Sequence, residues 1–586
     1  MSSSSQTDTG TQGGSVQRAL STVHGPVFYP AAIIVLAFVI FAMVAPDTAY
    51  NWLLEVQNQV VSKLGWYYVL IVSGFIVFAL WVGLGHFGDI KLGPDDEEPE
   101  YSVGAWFSML FAAGMGIGLV FFGVAEPLFH FVSNSGAETA GVLGGDPGSR
   151  AQGSLVMSFL HWGLHPWAIY VVVGLAVAYS VHRKGRPVSI RWALEPLLGD
   201  RVKGWIGDVI DIAAIVGTLF GVATSLGLGV SQIAAGLSFL DLLSDPGTAS
   251  KVVLIGLITT IAVISVVTGI DKGIKWLSQF NMGLAGALLV FVAFAGPILF
   301  IFRDVVQSLG LYLQNIIQLS FNTSAMSGDA GVAWQGGWTI FYWGWWISWA
   351  PFVGVFIARI SRGRTVRQFV AGVMLVPTSV TFLWFLVFGG SALSEQLQRG
   401  GEQAFAGGLI GEDGVVSQEA SLFGLLDGLP IGTLLAAAAV ILIAVFFITS
   451  SDSGSFVVDM LASGGDENPP VWSRVFWAVL EGAVAAALLI AGGDNALLAL
   501  RYGAIIIALP FSIVMLAMCW ATIQAFRSER EVALRIQRRL QREELTEHVS
   551  QSLIDEGLIE PNGEGAERPV ATGAGGAPLR TDEPER

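Results

Sequence analysis

A chain of 586 residues in which 53% are hydrophobic and only 13% charged falls outside the soluble globular class, where about a quarter of residues carry charge. The single cysteine, Cys519, excludes an intrachain disulfide framework and a thiolate metal cluster. The lack of a Gly-x-x-x-x-Gly-Lys-Ser/Thr loop excludes work driven by the chain's own nucleotide hydrolysis. The net charge of -16, with seven lysines against 23 arginines, sits outside the apolar segments, at Asp95-Asp96-Glu97-Glu98, between Glu395 and Glu419, and in the tail. An acidic, lysine-poor surface fits a salty cytoplasm, where screening weakens self-repulsion; GC-rich codon usage is the competing explanation.

Residues 1–26 are polar and lack the basic and apolar regions of a cleaved signal, so they read as a tail before a retained first span. Apolar stretches able to cross ~30 Å of hydrocarbon follow near 27–45, 65–85, 103–131, 153–181, 205–239, 251–269, 274–302, 335–359, 368–390, 430–463, 471–492 and 500–526. The expected fold is therefore an all-α membrane protein with about twelve transmembrane helices. The basic residues His182-Arg183-Lys184-Gly185-Arg186, Arg191, Lys272, Lys275, Arg359, Arg362, Arg364 and Arg367 fall in connections on one side. The positive-inside rule makes that side cytoplasmic, and an even number of spans puts both termini there.

The spans group into 27–100, two peripheral helices and an acidic loop; 101–302, a five-helix unit; 303–333, an extracellular connection; 334–526, a second five-helix unit; and 527–586, a cytoplasmic helix with a disordered end. An odd number of spans per unit inverts the second copy, as in inverted-repeat transporters. The first helix of each unit carries helix-weakening residues: Gly114-Met115-Gly116-Ile117-Gly118 in one, Gly344 and Pro351 in the other. Matching breaks at these places point to a site near the middle of the membrane. Gly114 and Gly118 also form a Gly-x-x-x-Gly pattern, which close helix packing alone explains.

Between Trp334 and Trp349 lie six tryptophans and Tyr342, and a second aromatic group, Trp162, Trp167 and Tyr170, lies on the fourth span. Trp167 and Tyr170 share a helix face, and Pro166 is placed to bend that helix. Indole faces attract cations that cannot donate hydrogen bonds, so Trp346 with these three could form a cage for a quaternary ammonium group. The alternative is an aromatic belt at the lipid headgroups, which suits Trp334 and Trp338 best. On the tenth span, Thr449 and Ser450 offer adjacent hydroxyls to a hard cation, or simply bond back to the preceding helical turn. Glu126 and Asp452 are intramembrane carboxylates near span ends or irregular backbone, and such groups are functional suspects. His161 and His165 are four apart but lack a third ligand by spacing, so they read as packing or hydrogen-bonding residues.

Taken together, Gly114–Gly118, His161-Trp162-Gly163 with Trp167 and Tyr170, and Trp343-Gly-Trp345-Trp346-Ile-Ser-Trp349 followed by Arg359-Ile-Ser-Arg-Gly-Arg364 resemble the betaine/choline/carnitine transporter family across all the spans. The resemblance implies two inverted five-helix repeats of the LeuT-like kind preceded by two extra helices, and a homotrimer in the membrane. It implies an aromatic box of Trp162, Trp167, Tyr170 and Trp346, with Trp345 and Trp349 along the pathway and Gly114, Met115, Gly116 and Gly118 letting backbone approach substrate. It further implies no cofactor beyond a coupling sodium ion held by Thr449 and Ser450 with the carbonyls of Ala112, Met115 and Phe446.

A second sodium site in this family uses two threonines one turn apart and a phenylalanine. Here the positions read Thr218, Val222 and Phe352, so the second ion binds differently, is missing, or is replaced by a proton. The resemblance also lends the C-terminal helix, with Val532, Ile536 and Leu540 on one face, a role in sensing osmotic stress; a solvated helix at the lipid surface is the plainer reading. The expected activity is sodium-coupled import of glycine betaine or a related compatible solute by alternating access, with no enzymatic chemistry. Proton-coupled choline or carnitine transport and a substrate-gated channel are the alternatives.

Overall fold

The computed structural model describes residues 23–114, 116–132, 145–268 and 271–558. Every long element among them is an α-helix, and the only β-type pairing is an isolated bridge between Lys91 and Thr365. In hydrocarbon each backbone N–H and C=O must be satisfied within its own segment, so long apolar runs become helices.

In chain order these are α1 (Gly25–Val44), α2 (Pro46–Leu84), α3 (Val103–Gly114), α4 (Ile117–Val132), α5 (Pro147–Trp162), α6 (Leu164–Ala178), α7 (Trp205–Phe239), α8 (Thr248–Thr268), α9 (Asp271–Ala295), α10 (Ile298–Ser320), α11 (Gly328–Gly337), α12 (Thr339–Ile360), α13 (Val366–Gln398), α14 (Gly432–Ala462), α15 (Val471–Gly492) and α16 (Ala496–Asp555). Among the described residues, ten continuous helical stretches are long and apolar enough to cross a membrane, and the bent pair α3–α4 makes eleven. The stretch holding α15 and α16 folds back at Gly493, where φ is 51°. Leu488 then packs beside Gly503 and Gly492 beside Ala499, so this stretch makes two passes and the bundle twelve. The expected all-α, twelve-span architecture is present.

Caps set several boundaries. Asp146 accepts the Ser149 N–H at 3.0 Å, with Pro147 in the first turn of α5. Thr365 and Gln368 form a reciprocal capping box at the start of α13, satisfying two donors that helix geometry leaves open. Before α7, Arg191 is held by Asp208 at 2.8 Å and Asp211 at 2.5 Å. Burial pulls its guanidinium down, but the two carboxylates hold it above the ordinary arginine value.

The breaks are what position the site. The axes of α3 and α4 meet at 64° across the glycine stretch, as the sequence leads one to expect. The fourth span breaks at Gly163 (φ -92°, ψ -124°) rather than at Pro166. Pro166 lies in the first turn of α6, where its missing N–H leaves no helical bond unmade. The eighth span breaks at Trp338 (φ -128°, ψ -84°), and α12 runs unbroken through Gly344 and Pro351, contrary to expectation. Gly344 serves packing instead, since a Cβ there would lie 2.9 Å from the Ile505 Cα. Around the centre, α6 packs along α12, α7 against α12 and α14, and α13 against α4 and α5.

Residues through Phe526 form one compact unit and those from Arg527 another. The described part of the second is helical to Asp555, with Glu531–Arg535 and Arg539–Glu543 pairs at 3.8 and 2.9 Å. The N-terminal tail before residue 23 and the end beyond residue 558 lie outside the described residues.

Candidate functional site

A cavity of about 230 Å³ opens where the breaks of the third and fourth spans face α12 and α14. Trp162, the last residue of α5, and Trp167 and Tyr170 of α6 line it together with Trp345, Trp346 and Trp349 of α12. Trp162 meets Trp346 edge-on, with centroids 4.9 Å apart at 74°, and Trp167 meets Tyr170 at 5.3 Å and 76°. Trp345 stacks on Trp346 at 4.6 Å. The four box residues are buried, and cation–π attraction to such faces strengthens as a bound cation loses its water.

The glycines divide by function. A Cβ on Gly118 would lie 2.5 Å from Trp345 and 2.9 Å from Trp162, so this glycine lets both indoles close on the cavity. Gly116 borders the cavity with nothing within 4 Å of such a Cβ, which leaves backbone accessible to a ligand. Gly114 ends α3, and Met115 lies outside the described residues.

Three indole nitrogens are fixed by acceptors behind the walls. Trp346 donates to the His161 carbonyl at 3.0 Å, and Trp345 to Ser225 Oγ at 3.2 Å. Trp162 donates to Glu126 Oε2 at 2.8 Å. Glu126 also accepts the Tyr342 hydroxyl and faces His161 Nδ1 at 2.7 Å and His130 Nε2 at 3.3 Å. Two groups on each oxygen fill the acceptor capacity of a carboxylate. The histidine spacing gave no hint of this cluster: Glu126 joins His130 and His161 with potential ligand atoms within 4.8 Å of one another. In the structure those atoms are engaged with each other and with Thr339, 3.0 Å from His161 Nε2.

Trp334 and Trp338 are buried, not a lipid belt. Trp338 packs on Phe129 at 4.5 Å and His130 at 4.7 Å. Exposed tryptophans are instead Trp52, Trp66, Trp81, Trp205, Trp276 and Trp520. Trp343 turns away from the cavity and stacks on His165 at 5.0 Å. Sequence reading overlooked Arg501, a buried cation of α16 placed 5.0 Å over Trp338 and 4.9 Å over Phe341. Its guanidinium donates to the carbonyl of Gly337 at 3.0 Å and to Gln418 at 2.7 Å, satisfying an acceptor that the Trp338 break leaves open.

Of the sodium candidates, Ala112, Phe446, Thr449 and Ser450 all line the cavity. Thr449 Oγ1 bonds back to the Val445 carbonyl at 2.9 Å, the local alternative for a mid-helix hydroxyl. The segment Phe446–Ser453 lies within the unbroken α14, so Asp452 is mid-helix rather than near irregular backbone. It pairs with Arg474 at 3.1 Å. Thr218 is fully buried, its hydroxyl has no hydrogen-bond partner, and it does not line the cavity. Phe352 does line it and meets Trp349 at 5.3 Å.

A second cavity of about 210 Å³ shares Phe352, Phe356 and Ser453 with the first and continues to His182, Arg359, Glu467 and Arg474. The central space thus adjoins a passage toward the basic connections, while Trp338, Phe341 and Arg501 stack on the other side.

A twelve-pass helical bundle with broken helices around a central aromatic cavity has the architecture of a secondary transporter. The family model described as betaine/carnitine/choline family transporter matches residues 26–531, and the chain belongs to that family. It is 49% identical to an uncharacterized transporter of Mycobacterium tuberculosis over 87% of this chain and 83% of the relative. It is 44% identical to a glycine betaine transporter of Bacillus subtilis over 86% of this chain and 94% of the relative. With a glycine betaine/proline/choline/ectoine transporter of Vibrio parahaemolyticus it shares 42% identity over 88% and 89%. The chain is accordingly a multi-pass membrane transporter and not an enzyme.

Proposed function

We propose that this chain imports glycine betaine or a closely related quaternary-ammonium solute, coupled to sodium, by alternating access. The observation that carries the reading is the cage itself: Trp162, Trp167, Tyr170 and Trp346 bordering one cavity with their faces buried. A trimethylammonium group has no N–H to donate, so it gains nothing from carboxylates as hydrogen-bond acceptors and is best held by π faces. The glycine stretch carries no Asp or Glu, which favours a zwitterion over a purely cationic ligand at the broken helix. Relatives named as glycine betaine transporters support the same choice.

In this reading sodium sits between Thr449 and Ser450 of α14 and the carbonyl end of α3 at Ala112, tying the broken third span to the tenth. Ion and substrate then strengthen each other's binding reciprocally. In the same reading the adjoining passage toward Arg359 and Arg474 is the inward route for substrate. Proteoliposomes test the whole reading: labelled glycine betaine should accumulate under an inward sodium gradient, compete with choline, carnitine and ectoine, and fail to accumulate with the gradient collapsed. Conductance without substrate would point to a channel instead.

A further inference from the structure

Glu481 lies within α15, is fully buried, and has one oxygen with no hydrogen-bond partner. Its other oxygen accepts the Ser451 hydroxyl at 3.1 Å. An intramembrane carboxylate without a cation is costly and marks a functional site by default. The elements packed against α15 supply no such cation. On α14, Asp452 is taken by Arg474, and Asp459 accepts the Ser473 hydroxyl on one oxygen while its other is unpartnered. Arg474 itself lies two helical turns from Glu481, about 10 Å along α15. On α7, Asp208 and Asp211 are committed to Arg191. α1 carries no Lys, Arg, Asp or Glu; Asp47, Glu55 and Lys63 of α2 are exposed; and Lys251 stands at the start of α8.

The surroundings of the free oxygen decide what it can hold. A Cβ built on Gly454 would lie 3.1 Å from Glu481 Oε1 and 3.1 Å from a Val222 methyl, so α14, α7 and the carboxylate converge there, with valine as the α7 side chain at that point. A hard metal ion requires several oxygen ligands, and valine supplies none. A proton requires only one. Ser451 is fully buried and lines neither cavity, but it sits on α14 between Ser450, which lines the central cavity, and Asp452, which lines the second.

We propose that Glu481 is a proton-binding site of the transport cycle: its carboxylate takes up one proton on Oε1 in the outward-facing state and releases it inward, supplying a second coupling cation beside Val222. This rests on the transport reading above but is separable from it. Protonation neutralises Glu481 and alters its bond to Ser451, two residues from Thr449, so the proton and the sodium candidate act on the same helix.

The test uses wild-type and Glu481→Gln proteoliposomes with an inward sodium gradient and, separately, an acid-outside step of one pH unit at equal sodium. One coupled proton raises steady-state accumulation of glycine betaine by up to about tenfold per pH unit. Wild type should respond severalfold, whereas Glu481→Gln should keep betaine exchange at symmetric pH within about twofold of wild type and lose the pH response. A protonated-carboxyl infrared band present in wild type and missing in the variant would give the same answer without transport. Sodium-driven uptake with no response to the pH step in wild type overturns the proton site and leaves the function standing, an outcome that needs no variant to fold. A full pH response in Glu481→Gln overturns it equally. Uptake driven by neither gradient would instead defeat the transport reading.

Discussion

Glu126 of α4 accepts the indole N–H of Trp162 at 2.8 Å, so one wall of the aromatic cage is held from behind by a buried carboxylate. The same oxygen takes the Tyr342 hydroxyl, and Tyr342 lies 5.8 Å from Trp346, stacked at 21°. A single acid thereby fixes one box residue directly and supports a second through its neighbour.

Glu126→Gln tests that arrangement with almost no change of volume. An amide replaces one acceptor oxygen by an N–H₂ donor, leaving buried donors facing a donor, at about 1–3 kcal/mol per unsatisfied group. We expect the apparent KM for glycine betaine to rise by roughly tenfold with the maximal rate less affected, measured by initial uptake in proteoliposomes of equal protein content. An unchanged KM would mean that Trp162 holds its place without the carboxylate.

The cage faces themselves are separable by the direction each indole takes. Trp346→Leu and Trp162→Leu each remove one desolvated face worth about 0.5–2 kcal/mol, so binding should weaken by roughly 2- to 30-fold, with Trp346→Phe losing less. Trp343 stacks on His165 away from the cavity, and Trp343→Phe should leave affinity near wild type while lowering thermal stability. Equal affinity losses in Trp343→Phe and Trp346→Leu would contradict the division of the tryptophan cluster.

Much of this was legible in the sequence because its signals are long-range in pattern and simple in cause. Twenty-residue apolar runs leave a membrane chain little choice but helix, and Trp162, Trp167, Tyr170 and Trp346 announced themselves as aromatics inside such runs. The break of the eighth span was misplaced because glycine and proline weaken helices intrinsically, while Trp338 interrupts one only through tertiary support, notably Arg501 at the Gly337 carbonyl. Glu481 went unnoticed for a related reason: its missing partner is a property of packing between α7, α14 and α15. Trp334 and Trp338 looked like a lipid belt because composition cannot tell which side of a helix faces protein.

Sodium dependence offers the third prediction. Thr449→Ala and Ser450→Ala each remove one hard oxygen, and we expect the half-saturating sodium concentration to rise by at least about tenfold, the equivalent of 1.4 kcal/mol, with Thr449→Ser near wild type. Replacing sodium by potassium should abolish accumulation in all variants. Should Thr449 serve only its bond to the Val445 carbonyl at 2.9 Å, Thr449→Ala would shift stability and leave the sodium titration where it was.

Arg501 gives the last prediction, because its charge is buried yet faces no carboxylate within salt-bridge distance among the described residues; three aromatic rings and two hydrogen-bond acceptors receive it instead. Arg501→Met keeps the apolar stem but leaves the Gly337 carbonyl and Gln418 without their donor, at about 1–3 kcal/mol for each group left unsatisfied. A loss of that size lowers the melting temperature of a large domain by a few degrees, which a thermal-shift assay in detergent resolves. Arg501→Lys should recover only part of it, since a single ammonium lacks the planar fork that reaches both acceptors from over a ring. The layer of Trp338, Phe341 and Arg501 lies on the side of the cage away from the second cavity, so loosening it should also speed betaine release toward that side in exchange experiments. Full recovery by lysine in both measurements would show that charge alone, not the forked geometry, maintains the closure.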